Sequence, residues 1–340
     1  MNDSSDDVSL TDWRALHADF FSGSRCLVTG GAGFIGSHLT GALVSLGAEV
    51  SVLDDLSGGN VENLAACGAN RPLSFLRGDI RDAAAVEKAM AGCRFVFHLA
   101  AMGSVPRSIT MPAVYADVNI GGTMVVLEAA REAGVERLVF ASSSSVYGET
   151  PTLPKHEDMP MLALSPYAAG KIAGEALVRA YAKCYEIDTA CLRYFNVFGP
   201  RQNANSAYAA VIAAFGKALN HGQPPVIFDD GEQSRDFTYV DNVVQANLLA
   251  ARAATHLNGA AMNVACGRRV TVNQLARQMM TAYQLDSLAI DYREARTGDI
   301  RHSLADLDRA RRMLGYAPVV DFETGLETTV RWIRGGGIRG

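Results

Sequence analysis

Tyr167-Ala168-Ala169-Gly170-Lys171 sets a phenol and an ammonium four residues apart, which on a helix is one turn and one face. A cation near a phenol favours the phenolate and lowers its pKa, so the pair predicts a tyrosine that works as a base near neutral pH. Such pairs are common by chance, and context decides between them. Upstream, Ala141-Ser142-Ser143-Ser144-Ser145-Val146-Tyr147-Gly148 follows a predicted strand and offers hydroxyls to an oxygen of a substrate held beside Tyr167.

A second constellation lies near the start of the chain. Thr29-Gly30-Gly31-Ala32-Gly33-Phe34-Ile35-Gly36-Ser37-His38 carries glycines at 30, 33 and 36 where a strand turns into a helix. That spacing suits a tight turn, a backbone close to a pyrophosphate, and a helix N-terminus whose free N–H groups face the phosphates. The next strand ends at Asp54, 18 residues beyond Gly36, where an acid binds ribose hydroxyls and repels a 2′-phosphate. NAD is therefore expected in preference to NADP, and Asp55 adds a second carboxylate. Gly78-Asp79-Ile80 and His98-Leu99-Ala100-Ala101 follow two further strands, at the carboxyl ends where open α/β sheets bind ligands. Small Ala100 and Ala101 let a cofactor approach, whereas His98 reads as a packed or capping histidine. A bound, oxidised nicotinamide would add its positive charge to that of Lys171 in favouring the Tyr167 phenolate.

The elements that must position these residues are legible in outline. Short apolar runs at Cys26–Val28, Val50–Leu53, Leu73–Leu76, Phe95–Phe97, Leu138–Phe140 and Thr189–Leu192 read as strands, mostly apolar on both faces. Amphipathic stretches at 35–47, 83–91, 113–133 and 167–185 alternate with them, which predicts an α/β chain with a doubly wound parallel sheet. Beyond Arg193 the pattern loosens, with helices expected near 207–220, 241–254, 271–284, 305–314 and 322–334 and a strand near Pro225–Phe228. This half reads as a smaller lobe contributing loops to a cleft. Residues 1–23 read as an acidic arm, in which Thr11 caps a short helix and Trp13, Leu16, Phe20 and Phe21 form one apolar stripe; a frayed extension is the alternative.

The chain has 340 residues, with 31 basic and 36 acidic side chains giving a net charge of −5 and no basic stripe for a nucleic acid. Its six cysteines lie far apart and read as reduced thiols, with neither a disulfide frame nor a zinc site. No apolar run reaches the roughly 18 residues of a membrane helix, and the acidic start is unlike a signal peptide. A soluble, cytoplasmic protein without metal, nucleic-acid or membrane partners is expected.

Taken together, TGGAGFIGSH, Asp54, HLAA, SSSSVYG, SPYAAGK and LRYFNVFGP resemble the extended short-chain dehydrogenase/reductase family. Within it the chain is similar to the nucleotide-sugar epimerases and dehydratases that keep NAD bound, from about Arg25 to about Trp332. The resemblance implies a Rossmann-type domain at 24–195 and a mainly substrate-binding lobe at 196–340, some segments of which return to the sheet. It implies NAD contacts from Gly30, Gly33, Phe34, Ile35, Gly36, Asp54, Asp79, Ile80, Leu99, Ala100, Ala101, Tyr167, Lys171 and Tyr194. Tyr167 would take a sugar hydroxyl proton while hydride leaves to NAD, Lys171 would hold the nicotinamide ribose, and Ser143 would bind the oxidised hydroxyl. Ser144 and Ser145 would line the sugar pocket, and Asn196 would contact the substrate phosphates. Family relatives also pair as homodimers through the helices near 113–133 and 167–185.

Family dehydratases carry an Asp-Glu pair just before the Val-Tyr-Gly to abstract a second proton, and decarboxylases keep a glutamate there. Ser144 and Ser145 fill those positions here, which favours a C4 epimerase. Arg235 and Arg296 resemble the two arginines that grip a UDP pyrophosphate, a task suited to forked guanidinium groups. The loops around Ser104 and Arg107, and around Gln202 and Ala210, resemble those of epimerases acting on N-acetylated hexosamines. Ser303 stands where epimerases restricted to glucose and galactose have a bulky tyrosine, which leaves room for an acetamido group. UDP-N-acetylglucosamine or UDP-N-acetylgalactosamine is therefore expected. Their uronic acids stay open, since Arg107 and Arg301 could meet a carboxylate, as do UDP-glucose and a dehydratase activity.

Overall fold

A computed structural model describes residues 9–65, 67, 73–202, 211–295 and 301–337. The strands are β1 (Arg25–Thr29), β2 (Glu49–Asp54), β3 (Leu73–Arg77), β4 (Phe95–His98), β5 (Arg137–Ser143), β6 (Asp188–Tyr194) and β7 (Ala260–Val264). They form one seven-stranded sheet in the order β7-β6-β5-β4-β1-β2-β3, every neighbour parallel. This is a Rossmann-type doubly wound fold, in which the strand order reverses between β1 and β4. Thr29, Asp54, His98, Ser143 and Tyr194 each end a strand, so the residues marked for chemistry lie along one edge of the sheet.

Two strands depart from expectation. β3 is the edge strand, and Ser74, Phe75 and Arg77 are exposed there, whereas the inner strands are covered on both faces. β7 was not foreseen: its Ala-Ala-Met-Asn-Val sequence lacks a β-branched run, yet it is almost wholly buried beside β6, pairing Ala260 with Ala190 through Val264 with Tyr194. The second half of the chain thus returns to the sheet.

The helices Phe34–Ser45, Ala83–Met90 and Pro166–Tyr185 follow their predicted spans closely. The expected helix at 113–133 is instead Pro112–Ala116, a wide π turn at Asp117–Gly122, and Thr123–Glu132. Gly122 packs so tightly on Ile80 that a Cβ would lie 2.5 Å from Ile80 Cδ1, and the widened turn accommodates that approach. In the second half, Val211–Asn220, Val240–Arg252, Val272–Tyr283, Asp308–Leu314 and Phe322–Trp332 are helical, and Val226–Phe228 pairs with Asp291–Arg293. Phe198, Phe237, Tyr239 and Phe322 centre a separate core there.

From Ser9 on, the described part of the arm is packed, not frayed. Asp12, not Thr11, caps its Trp13–His17 helix, because the Thr11 hydroxyl donates to Asp241 Oδ2 at 2.8 Å. Trp13, His17 and Phe21 are buried, four residues apart each time, while Leu16 and Phe20 stay exposed. The six cysteines are free thiols. Among the described residues no helix is long and apolar enough to cross a membrane, and no side-chain cluster could hold a metal ion.

Candidate active site

Residues at the carboxyl ends of β1, β2, β4 and β5 wall a cavity of about 650 Å³. Its first wall is backbone. Gly30 has φ +70°, and a Cβ on it would lie 2.8 Å from Ala100 N; a Cβ on Gly36 would lie 2.1 Å from Gly30 O. Neither position admits a side chain. Gly33 begins the Phe34–Ser45 helix without a side-chain cap, which leaves its N-terminal end open to an anion. Asp54 closes the turn: Oδ2 accepts the Ala32 N–H at 3.0 Å and Oδ1 the Leu56 N–H at 2.8 Å. Burial raises its pKa, against the pull of those N–H groups. This glycine cradle, open helix end and buried acid fit a dinucleotide.

Asp79, Ile80, Leu99, Ala100 and Ala101 extend the same wall, with Tyr167, Lys171 and Tyr194 further along. Arg81 forks onto Asp79 and reaches Asp117 of the π turn at 2.5 Å, holding the Asp79 carboxyl below its usual range. His98 is a core residue, its Nδ1 2.8 Å from Thr29 Oγ1 and its Nε2 3.0 Å from Thr123 Oγ1, and burial lowers its pKa to about 3. The Tyr194 hydroxyl is held in a pair of hydrogen bonds with Asn247.

Ser165 caps the Pro166–Tyr185 helix by accepting the Ala168 N–H at 3.1 Å, and the first two turns present Tyr167 and Lys171. The phenol hydrogen-bonds Ser143, whose Oγ also accepts the Ser145 N–H at 3.2 Å. The expected lowering of the Tyr167 pKa by Lys171 is not found. Burial dominates and pushes the phenol up, with the Ser143 bond pulling it back. Lys171 Nζ sits 5.9 Å from the Tyr167 ring centroid and donates to Ala141 O at 2.7 Å. Burial lowers the Lys171 pKa to about 8, opposed by Glu175 one turn on. Glu175 itself is fully buried, accepting from Ser142 Oγ at 2.5 Å and from Arg193 Nη2 at 2.7 Å.

Ser144 is partly buried, and the Ser145 hydroxyl is buried without a partner among the described residues. Asn196, two residues past Tyr194, has the uncommon φ of +34°, which asparagine tolerates better than most residues. Its Nδ2 donates to Asp236 O at 3.1 Å and to Ser303 Oγ at 3.4 Å. Arg235 Nη1 donates to Ser234 O and Arg301 O at 3.1 and 3.2 Å. Asn196, Arg235 and Ser303 therefore share one cluster. Asp236 knots it by accepting the N–H groups of Cys266, Gly267 and Ala305. Gln202 donates to Val197 O at 2.9 Å. Ser104 and Arg107 line the cavity. Arg301 is committed to Asp229 and Asp230, whereas the Arg107 guanidinium has no ion pair or hydrogen bond among the described residues. Ala210 and Arg296 lie outside the described residues.

Sequence reasoning missed Tyr115, Asp236 and the Glu175–Arg193 pair. The i, i+4 spacing of Lys171 and Glu175 was a usable signal. Tyr115 was absorbed into an apolar helix pattern, and Asp236 joins segments too far apart in the chain to be associated by eye.

The model of the NAD dependent epimerase/dehydratase family matches residues 26–265, and the chain belongs to that family. It is an NAD-dependent enzyme of the nucleotide-sugar epimerase/dehydratase type. It is 41% identical over 312 residues to a UDP-glucose 4-epimerase of Mycolicibacterium smegmatis, covering 91% of this chain and 98% of the relative. A dTDP-glucose 4,6-dehydratase of Streptomyces niveus is 35% identical over 321 residues, at 91% and 93% coverage. A UDP-N-acetylglucosamine 4-epimerase from Methanobrevibacter ruminantium, solved in complex with UDP-N-acetylmuramic acid, superposes with a TM-score of 0.87. It shares 40% identity, over 92% of this chain and 98% of its own.

Proposed function

We propose that the protein is a UDP-sugar 4-epimerase acting on UDP-N-acetylglucosamine and UDP-N-acetylgalactosamine. Ser144 and Ser145 carry the reaction assignment: neither is a carboxylate, so nothing there takes a second proton from the sugar. Tyr167 Oη is the base that removes the C4 hydroxyl proton and returns it, and Ser143 Oγ orients that hydroxyl. Lys171 Nζ, with Ala141 O as its anchor, holds the nicotinamide ribose. Gly30, Gly33, Gly36 and Asp54 hold the rest of the dinucleotide. Bound NAD would supply the hydride acceptor, and then the donor, for C4. Arg235 and Asn196 grip the diphosphate. Ser303 carries the sugar assignment, since its small side chain beside Asn196 leaves room for an acetamido group.

The test is incubation with a panel of UDP-hexoses and NMR of the products. The expected product is the C4 epimer of an N-acetylated sugar; a 4-keto-6-deoxy sugar would make the enzyme a dehydratase. Turnover of UDP-glucose alone would favour the reading suggested by the Mycolicibacterium relative. Uronic acids are a second reading, favoured by Arg107 because Arg301 already faces two carboxylates. Turnover confined to uronates would establish it.

We also propose a homodimer. Met124 and Tyr185 stay exposed on the two helices that the family resemblance marks for pairing. Light scattering at micromolar concentration should give twice the chain mass, and a monomer mass would refute the pairing.

A further inference from the structure

Tyr115 lines the cavity at 1% exposure, at the end of the Pro112–Ala116 helix. Its phenolic oxygen accepts the Ser104 N–H at 3.2 Å. A phenol also carries one proton to donate. That proton has no acceptor among the described residues. Tyr115 and Tyr167 line the same cavity. A buried donor on the wall of the cavity that also holds the base is placed for an oxygen that arrives with a ligand.

We propose that Tyr115 is a substrate-binding residue whose hydroxyl donates to an oxygen of the sugar, an assignment that rests on the UDP-sugar reading above. Ser104 supports the geometry. By donating its N–H to Tyr115 it orients the phenolic oxygen, and its own Oγ accepts the Arg107 N–H at 3.3 Å, so the loop and the phenol are fixed together. The sugar's hydroxyls and the carbonyl of an acetamido group are all acceptors of the required kind.

The experiment compares Tyr115→Phe with wild type on the intact UDP-sugar and on analogues lacking one sugar oxygen at a time. Tyr115→Phe should lower kcat/KM on the intact sugar by roughly three- to tenfold, the size of one net hydrogen bond. NAD released on denaturation should match wild type. On the single analogue that lacks the partner oxygen, the two enzymes should perform alike. A penalty equal on every analogue would mean that the hydroxyl only anchors the Ser104 loop, and would overturn the assignment. So would unchanged kinetics. Loss of NAD from Tyr115→Phe, with no dependence on the analogue, would give the proton to the cofactor and overturn it too. If the wild type turned over no UDP-hexose at all, the UDP-sugar reading itself would fall, and this assignment with it.

Discussion

On the cofactor side of the molecule the first wall of the binding surface is backbone from a single strand-turn-helix. Gly30 to Gly36 follow one another in the chain, and two of these glycines face main-chain atoms closer than any Cβ allows. The cluster around Asn196, Arg235 and Ser303 is assembled differently. Three segments far apart in sequence meet there. Asn196 Nδ2 donates to the Asp236 carbonyl. The buried Asp236 carboxylate accepts the Ala305 N–H at 3.1 Å and, from a fourth segment, the Cys266 and Gly267 N–H groups at 3.0 Å. A wall of close-packed backbone tolerates almost no change in residue type, within the turn or where Ala100 and Val52 meet it. A surface made by side chains on three loops can change its preference with one substitution while the cofactor side stays as it was. Chemistry should therefore be separable from cofactor binding, and substrate choice from both.

The largest effect should come from Tyr167, on the wall of the cavity that the glycine turn lines. Tyr167→Phe keeps the ring and its packing and removes only the acid/base group, so turnover should fall by roughly two to four orders of magnitude. Gly30, Gly33, Gly36 and Asp54 are untouched, so the NAD content after denaturation should equal that of the wild type. Full activity would show that another group takes the C4 proton. Loss of NAD would show that the two regions are not separable in the way their construction suggests.

That same contrast decides what could be read from the sequence. Six of the seven sheet strands and the whole glycine turn were legible, because each depends on residues adjacent in the chain. β7 was not, since an Ala-Ala-Met-Asn-Val strand acquires its character from the buried β6 beside it. The spacing of Tyr167 and Lys171 placed them on one face, but the direction of the Tyr167 shift was misread. Spacing reports proximity and says nothing of the burial that outweighs it. Asn196, Arg235 and Ser303 entered only through a family resemblance, because nothing in their local sequence says that they meet. The π turn at Asp117–Gly122 was hidden as well, inside a stretch whose amphipathic pattern reads as continuous helix.

The smallest effect is the sharpest probe of the assembled side. Ser303 Oγ lies 3.4 Å from Asn196 Nδ2, and its N–H donates to Ser234 O at 3.0 Å, so its backbone is anchored and its side chain faces the cluster. Ser303→Tyr would put a phenol where we place the acetamido group, while a substrate with only a hydroxyl at C2 loses less room. Overpacking typically costs about 1–3 kcal/mol, or roughly five- to a hundredfold in discrimination. The measurement is the ratio of kcat/KM for UDP-N-acetylglucosamine and UDP-glucose, wild type against Ser303→Tyr, with NAD content as the control. The ratio should fall toward UDP-glucose by that factor while NAD content holds, because the glycine turn shares no contact with Ser303. An unchanged ratio would mean that Ser303 does not bound the acetamido pocket, and the choice of sugar would then have to be sought at Ser104 and Arg107, on the cavity wall itself.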